Sequence, residues 1–153
     1  MDVKLIKPFI SATVEVLETM AFTKVNVGKP YIKKEEIAAG DVSGLIGLTG
    51  EKNGSVSVSF AEECILKIVS NMLGEEFSVV DHDIKDAVGE LTNMISGQAR
   101  KMLAGIGYKL DAAIPTVVVG KNHAISHISS GPMIAIPFDT PNGPFTIEIC
   151  FEG

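Results

Sequence analysis

A chain of 153 residues, of which 46% are hydrophobic and 21% charged, has the balance of a folded globular domain, and at this size roughly two thirds of the unfolded surface can enter one core. The net charge is −6, with 13 basic residues scattered among 19 acidic ones, which excludes the basic surface that DNA or RNA binding requires. No apolar run reaches the roughly 20 residues that span a bilayer, and the opening Met1-Asp2-Val3-Lys4-Leu5-Ile6-Lys7-Pro8 has no secretory pattern, so a cytoplasmic chain without membrane association is expected.

Phe9, Ile10, Thr13, Val14, Leu17 and Met20 recur at helical spacing, and Pro8 suits a first turn, which predicts an amphipathic helix over 9–22. Between Lys29 and Phe60 the glycines Gly44, Gly47, Gly50 and Gly54 oppose a helix, and the pattern becomes strand-like. Leu45 to Thr49 and Ser55 to Phe60 flank Asn53-Gly54, a dipeptide that accepts the positive φ of a tight hairpin turn. Glu62 to Leu73 carries Cys64, Ile65, Ile68, Val69 and Met72 at helical intervals and meets Gly74, a terminating residue. The longest helical pattern runs over 82–104, with Asp81 or Asp83 as cap and Gly105 beyond it, a rod of about 35 Å. Thr116 to Val119, Ile125 to Ile128, Met133 to Phe138 and Phe145 to Phe151 then read as strands, with Pro141-Asn142-Gly143 as a second hairpin turn.

Helix, strands with an Asn-Gly hairpin, helix, long helix, and strands with another Asn-Gly hairpin suggest a degenerate internal duplication. No linker divides the halves, so residues 1–153 are read as a single α+β domain with long helices packed on an antiparallel sheet. Cys64 and Cys150 each sit in an apolar pattern and are expected as buried thiols.

On the long helix, Ile84, Val88, Leu91, Ile95 and Met102 fall in one stripe that must face the core, while Asp86, Glu90, Asn93 and Gly97 gather on the opposite side. Gly89 and Gly97 each disfavour a helix by about 1 kcal/mol relative to alanine, so a closely approaching partner, or easier packing between helices, is needed to explain them. The same polar residues would also occur on a merely solvated face.

The run Asp86-Ala87-Val88-Gly89-Glu90-Leu91-Thr92-Asn93 resembles the mark of the chemotaxis phosphatases CheC, CheX and FliY: Asp or Ser, three residues, Glu, two residues, Asn, on a long surface helix. The resemblance extends to chain length, element order and the opening Phe9-Ile10-Ser11-Ala12-Thr13-Val14-Glu15-Val16-Leu17-Glu18-Thr19-Met20. It implies a pseudo-duplicated CheC/CheX-like fold and a phosphatase acting on the aspartyl phosphate of a CheY-like response regulator. Asn93 would hold the attacking water, Glu90 would pair with the regulator's active-site lysine, and Asp86 and Gly97 would contact the regulator. The chain itself would bind no cofactor or metal, Mg²⁺ being expected in the regulator. Ser11, Glu15 and then Glu18, where a second motif needs Asn, imply one active face, as in CheX-like members, and a homodimer joined through its sheets.

His123 and His127 are four apart, but in a strand they would lie about 13 Å from each other, too far to share a metal. Asp81-His82-Asp83 points in divergent directions, acids there favouring the helix dipole. No phosphate-binding glycine motif is present, and Ser129-Ser130-Gly131 forms no nucleophile elbow. A noncatalytic module that only docks a regulator, or a structural role in a signalling assembly, remains the rival reading.

Overall fold

Packing begins with α1 (Val3–Met20), which buries Leu5, Pro8, Phe9, Ala12, Thr13, Val16 and Leu17. The structure, a computed structural model, describes residues 3–34, 38, 40–125, 127 and 131–152. Pro8 lies inside α1 and does not open it. Burying Leu5 stabilises by about 1.5–3 kcal/mol, which offsets most of the roughly 3 kcal/mol that an interior proline costs.

The chain continues through β1 (Asn26–Val27), β2 (Tyr31–Lys33), β3 (Val42–Gly50), β4 (Gly54–Phe60) and α2 (Glu62–Leu73). It then forms α3 (His82–Gly105), β5 (Leu110–Ala112), β6 (Thr116–Val119), β7 (Met133–Thr140) and β8 (Gly143–Phe151). All strand pairs are antiparallel, and β4 and β8 lie side by side at the centre with Ser57 opposite Glu148. β3 flanks β4 and β7 flanks β8. The short strands β1 and β2 pair with β7 of the second half, while β5 and β6 pair with β3 of the first. Each half thus lends its arm to the other's hairpin, and the duplication suggested by element order becomes a reciprocal exchange within one sheet.

Alternation along β4 decides what faces the helices. Val56, Val58 and Phe60 join the core, and their partners on β8 are Ile149, Ile147 and Phe145. Ser55, Ser57 and Ser59 point to the second face, opposite Cys150, Glu148 and Thr146. Both sets are buried, so the sheet is covered on both sides, which a single amphipathic pattern would not require.

Two turns depart from expectation. The first hairpin forms, but its positive φ falls on Gly50, and Gly54 is the first residue of β4. A Cβ on Gly54 would stand 2.4 Å from the Cys150 carbonyl oxygen and 2.5 Å from the Phe151 ring, so this glycine serves the close approach of β8. At the end of α3 the left-handed residue is Gly107, while Gly105 remains helical. Gly74 does end α2, with φ 70° and its N–H donating to the Ser70 carbonyl. The strand expected over Ile125 to Ile128 lies partly outside the described residues; Ile125 is buried, and neither it nor His127 is in a strand. Ser129 and Ser130 also lie outside them.

Candidate active site

The site is built on α3. Asp81 caps it by accepting a hydrogen bond from the Ile84 N–H at 3.1 Å, satisfying one of the free donors of the first turn. Ile84, Ala87, Val88, Leu91, Thr92, Ile95, Ser96, Ala99 and Leu103 are buried. Met102, assigned to the stripe from its spacing, is only half-buried, and Leu103 fills the core position instead.

One glycine sets the depth of the helix. A Cβ on Gly44 of β3 would stand 2.0 Å from Thr92 Oγ1, 3.1 Å from Thr92 Cβ and 3.3 Å from Val88 Cγ1. Thr92 Oγ1 in turn donates to the Val88 carbonyl at 2.7 Å. The missing side chain therefore lets α3 press directly onto the sheet beneath the turn that carries Glu90 and Asn93.

Outward, Asp86, Glu90 and Asn93 are exposed and Gly97 is half-buried, so the structure brings all four sequence-predicted residues to one side of one helix. Glu90 and Asn93 stand three positions apart on the helix, which places their Cβ atoms about 5–6 Å apart. Among the described residues neither side chain has an intramolecular hydrogen-bond or ion-pair partner, whereas Asp86 meets His82 at 3.3 Å on the open surface. Asp86 and Glu90 also line an open groove of about 310 Å³ with Met72, Leu73, Asp83 and Ala87.

The two glycines of the helix differ. Gly89 lies at ordinary contact distance from the chain's own Val117, 3.6 Å from where its Cβ would be. Beside Gly97, among the described residues, only Arg100 Nη2 comes within 4 Å, at 3.8 Å, so no described residue packed there needs a glycine. On α1, Ser11, Glu15 and Glu18 are also exposed, but Glu15 accepts a hydrogen bond from Gln98 Nε2 at 3.1 Å, and no carboxamide stands where α3 has Asn93.

The histidines have other work. His123 Nε2 lies 2.6 Å from Ser43 Oγ, and its Nδ1 faces the Gly120 carbonyl. His127 Nδ1 meets Ser55 Oγ, and its Nε2 meets Glu148 at 3.3 Å. Both rings are spent on the second face of the sheet, and no cluster of three His, Cys, Asp or Glu suited to a metal occurs among the described residues. Cys64 and Cys150 are free and buried; burial pushes the Cys64 thiol up to about 11, against a smaller opposing effect of the Thr140 hydroxyl, so it stays protonated.

Sequence reasoning did not single out the far end of the same face. Gly97, Arg100, Lys101, Ala104, Lys109 and Leu110 line a second groove of about 380 Å³. The spacing of Gly97, Arg100 and Lys101 was readable, but Lys109 joins them only because the chain turns back into β5.

Among the described residues no helix is long and apolar enough to cross a membrane. Residues 42–139 match the family model described as chemotaxis phosphatase CheX. The chain is 31% identical over 138 residues to the CheY-P phosphatase CheX of Thermotoga maritima, covering 90% of this chain and 88% of that protein. Its fold superposes on a CheC-like superfamily protein from Shewanella sp. PV-4 with a TM-score of 0.94 and 49% identity, over 100% of both chains. It also superposes on CheX from Borrelia burgdorferi, solved as a CheX–CheY–BeF3–Mg²⁺ complex, with a TM-score of 0.83 and 26% identity over 97% of each chain. With the family model, the sequence relative and the folds in agreement, this chain belongs to the CheX family of chemotaxis phosphatases.

Proposed function

We propose that this chain is a cytoplasmic phosphatase that removes phosphate from the aspartyl group of a CheY-like response regulator, with Asn93 and Glu90 as its two working side chains. The observation that carries the reading is their presentation: an acid and a carboxamide, both exposed and without intramolecular partners among the described residues, on a helix whose other side is locked into the core. The relatives named for, or solved with, CheY support the choice of partner.

In the reaction a water oxygen attacks phosphorus while the bond to the aspartyl oxygen breaks, releasing inorganic phosphate and restoring the carboxylate. Phosphoryl transfer asks chiefly for positioning and charge stabilisation. The Asn93 carboxamide, with an acceptor oxygen and a donor nitrogen, orients the water without bringing a further negative charge to the phosphoryl oxygens. Glu90 pairs with the regulator's lysine and fixes the register of docking. Charge on the phosphoryl group would be offset by Mg²⁺ that the regulator supplies. Asp86 and Gly97 contribute contact surface, the glycine leaving the regulator room to approach.

The decisive experiment measures phosphate loss from labelled cognate regulator with substoichiometric protein. Asn93→Ala is expected to lower the turnover rate about 100-fold, the usual effect of losing one positioned polar group, with the fold unchanged by circular dichroism. An unaltered rate would sink the assignment, and binding without turnover by the wild-type chain would favour a docking module. A homodimer is part of the same proposal: Val27, Tyr31 and Ile32 at one sheet edge and Ile114 and Val119 at the other are exposed. Sedimentation showing only monomers at tens of micromolar, above ordinary micromolar affinities, would remove that part.

A further inference from the structure

The outward face of α3 is electrically divided. Asp83, Asp86 and Glu90 border the groove at its amino-terminal half, and Arg100 and Lys101, joined by Lys109, border the groove at its carboxy-terminal half. Asn93 lies between them. In a chain of net charge −6, three cations around one groove without a carboxylate among the lining residues form a local reversal of sign.

Helix-dipole complementarity does not explain it. That effect fades within the last turn, the last turn of α3 contains no basic residue, and Lys109 lies beyond the helix. None of the three takes part in an ion pair among the described residues. Arg100 has a more specific sign: its Nε is shielded from solvent and has no hydrogen-bond partner among the described residues. A buried unmade bond of this kind is destabilising, and a guanidinium that turns outward to an anionic oxygen recovers it in fork geometry.

We propose that Arg100, Lys101 and Lys109 form an anion-docking groove for the acidic rim of the regulator's phosphorylation pocket and so fix the direction in which the regulator lies across Asn93. The inference rests on the regulator being the partner, as argued above. A pocket that holds a dianionic aspartyl phosphate with its Mg²⁺ requires further carboxylates as metal ligands; together with the phosphoryl group their charge exceeds that of the cation, so the pocket is net negative, and the lysine that meets Glu90 makes it positive on one side. Glu90 and Lys101 are about 16 Å apart along the axis, well within one protein footprint of about 800 Å². A regulator docked the reverse way would set like charges against each other at both ends.

The test is Lys101→Glu/Lys109→Glu, both exposed positions, against a control of equal charge change, Lys24→Glu/Lys67→Glu, exposed positions that line neither groove. Two quantities are read: dephosphorylation kinetics from about 50 to 300 mM salt, where screening grows strongly, and binding to beryllofluoride-activated regulator. The groove variant is expected to raise KM about tenfold at low salt with kcat within about twofold, and to flatten the fall of kcat/KM with salt that electrostatic docking produces. The control should behave as wild type. Turnover with unchanged KM and salt dependence overturns the groove and leaves the phosphatase reading standing. Binding weakened by the groove variant, in a wild type that does not turn over, overturns the phosphatase reading and keeps the groove. Absence of both binding and turnover in the wild type overturns both.

Discussion

In the proposed reaction Asn93 and Glu90 would divide two needs that one residue could not meet. Close to a phosphoryl group an acid would add repulsion, which suits a neutral carboxamide to orienting the water; one turn away on the helix an acid would gain from a cation on the regulator. Truncating one partner of a desolvated charge pair typically costs 2–5 kcal/mol. Glu90→Lys, which adds repulsion to that loss, should raise the dissociation constant for activated regulator at least about 30-fold, measured by titration calorimetry. Unchanged affinity would remove Glu90 from docking.

For the helix as an element, function depends on how rigidly it is held. Gly44 allows α3 to rest on β3, with Thr92 and Val88 as the contact points. Gly44→Ala is expected to destabilise the fold by about 1–3 kcal/mol, the usual range for overpacking, and to lower turnover by lifting the segment that carries Glu90 and Asn93. Gly44→Ala/Thr92→Ala removes the hydroxyl that stands nearest the new methyl group and should recover part of both losses. Urea unfolding and the phosphatase assay together check this; equal stability of wild type and Gly44→Ala would show that α3 is not held at this point.

Across the whole molecule, the second face of the sheet is tied by charge. Glu148, fully buried, meets Lys33 Nζ at 2.6 Å and His127 Nε2 at 3.3 Å, so β2 and the residues after β6 are joined to the central strand. Burial alone would push its carboxyl up; hydrogen bonds from His127 and Lys33, with their positive charge, outweigh this and hold it below its ordinary 4.5. A carboxyl depressed in the folded state contributes stability above its unfolded value and loses it as pH falls through the folded one. Glu148→Gln should therefore be about 3 kcal/mol less stable at neutral pH, since it leaves a buried ammonium without its carboxylate. Below about pH 4.5 it should lose less further stability than wild type, because one titrating group is gone. Denaturant unfolding at pH 7 and at pH 3–4 tests both parts, and identical pH profiles would contradict them.

α2 and the extent of α3 could be read from residue spacing and from Gly74 and Asp81, because helices are ordered by contacts between near neighbours in sequence. The outward set Asp86, Glu90, Asn93 and Gly97 followed from the same period, and the motif resemblance added its chemical meaning. Other features depend on residues far apart in the chain. Gly54 looks like a turn glycine until β8 is seen beside it, Gly44 speaks only against a helix until α3 is seen packed on it, and Met102 yields to Leu103 only when the sheet defines the core. Pro8 looked like a helix start because the pull of Leu5 into the core is invisible locally. Lys109 joins Arg100 and Lys101 where the chain turns back into β5, Lys33 meets Glu148 because β2 pairs with β7, and His127 reaches it from a segment outside the strands. The periodic pattern by itself determined which side of the helix meets solvent; only tertiary packing decided how deeply it sits and which distant charges surround it, because those depend on where separate segments converge.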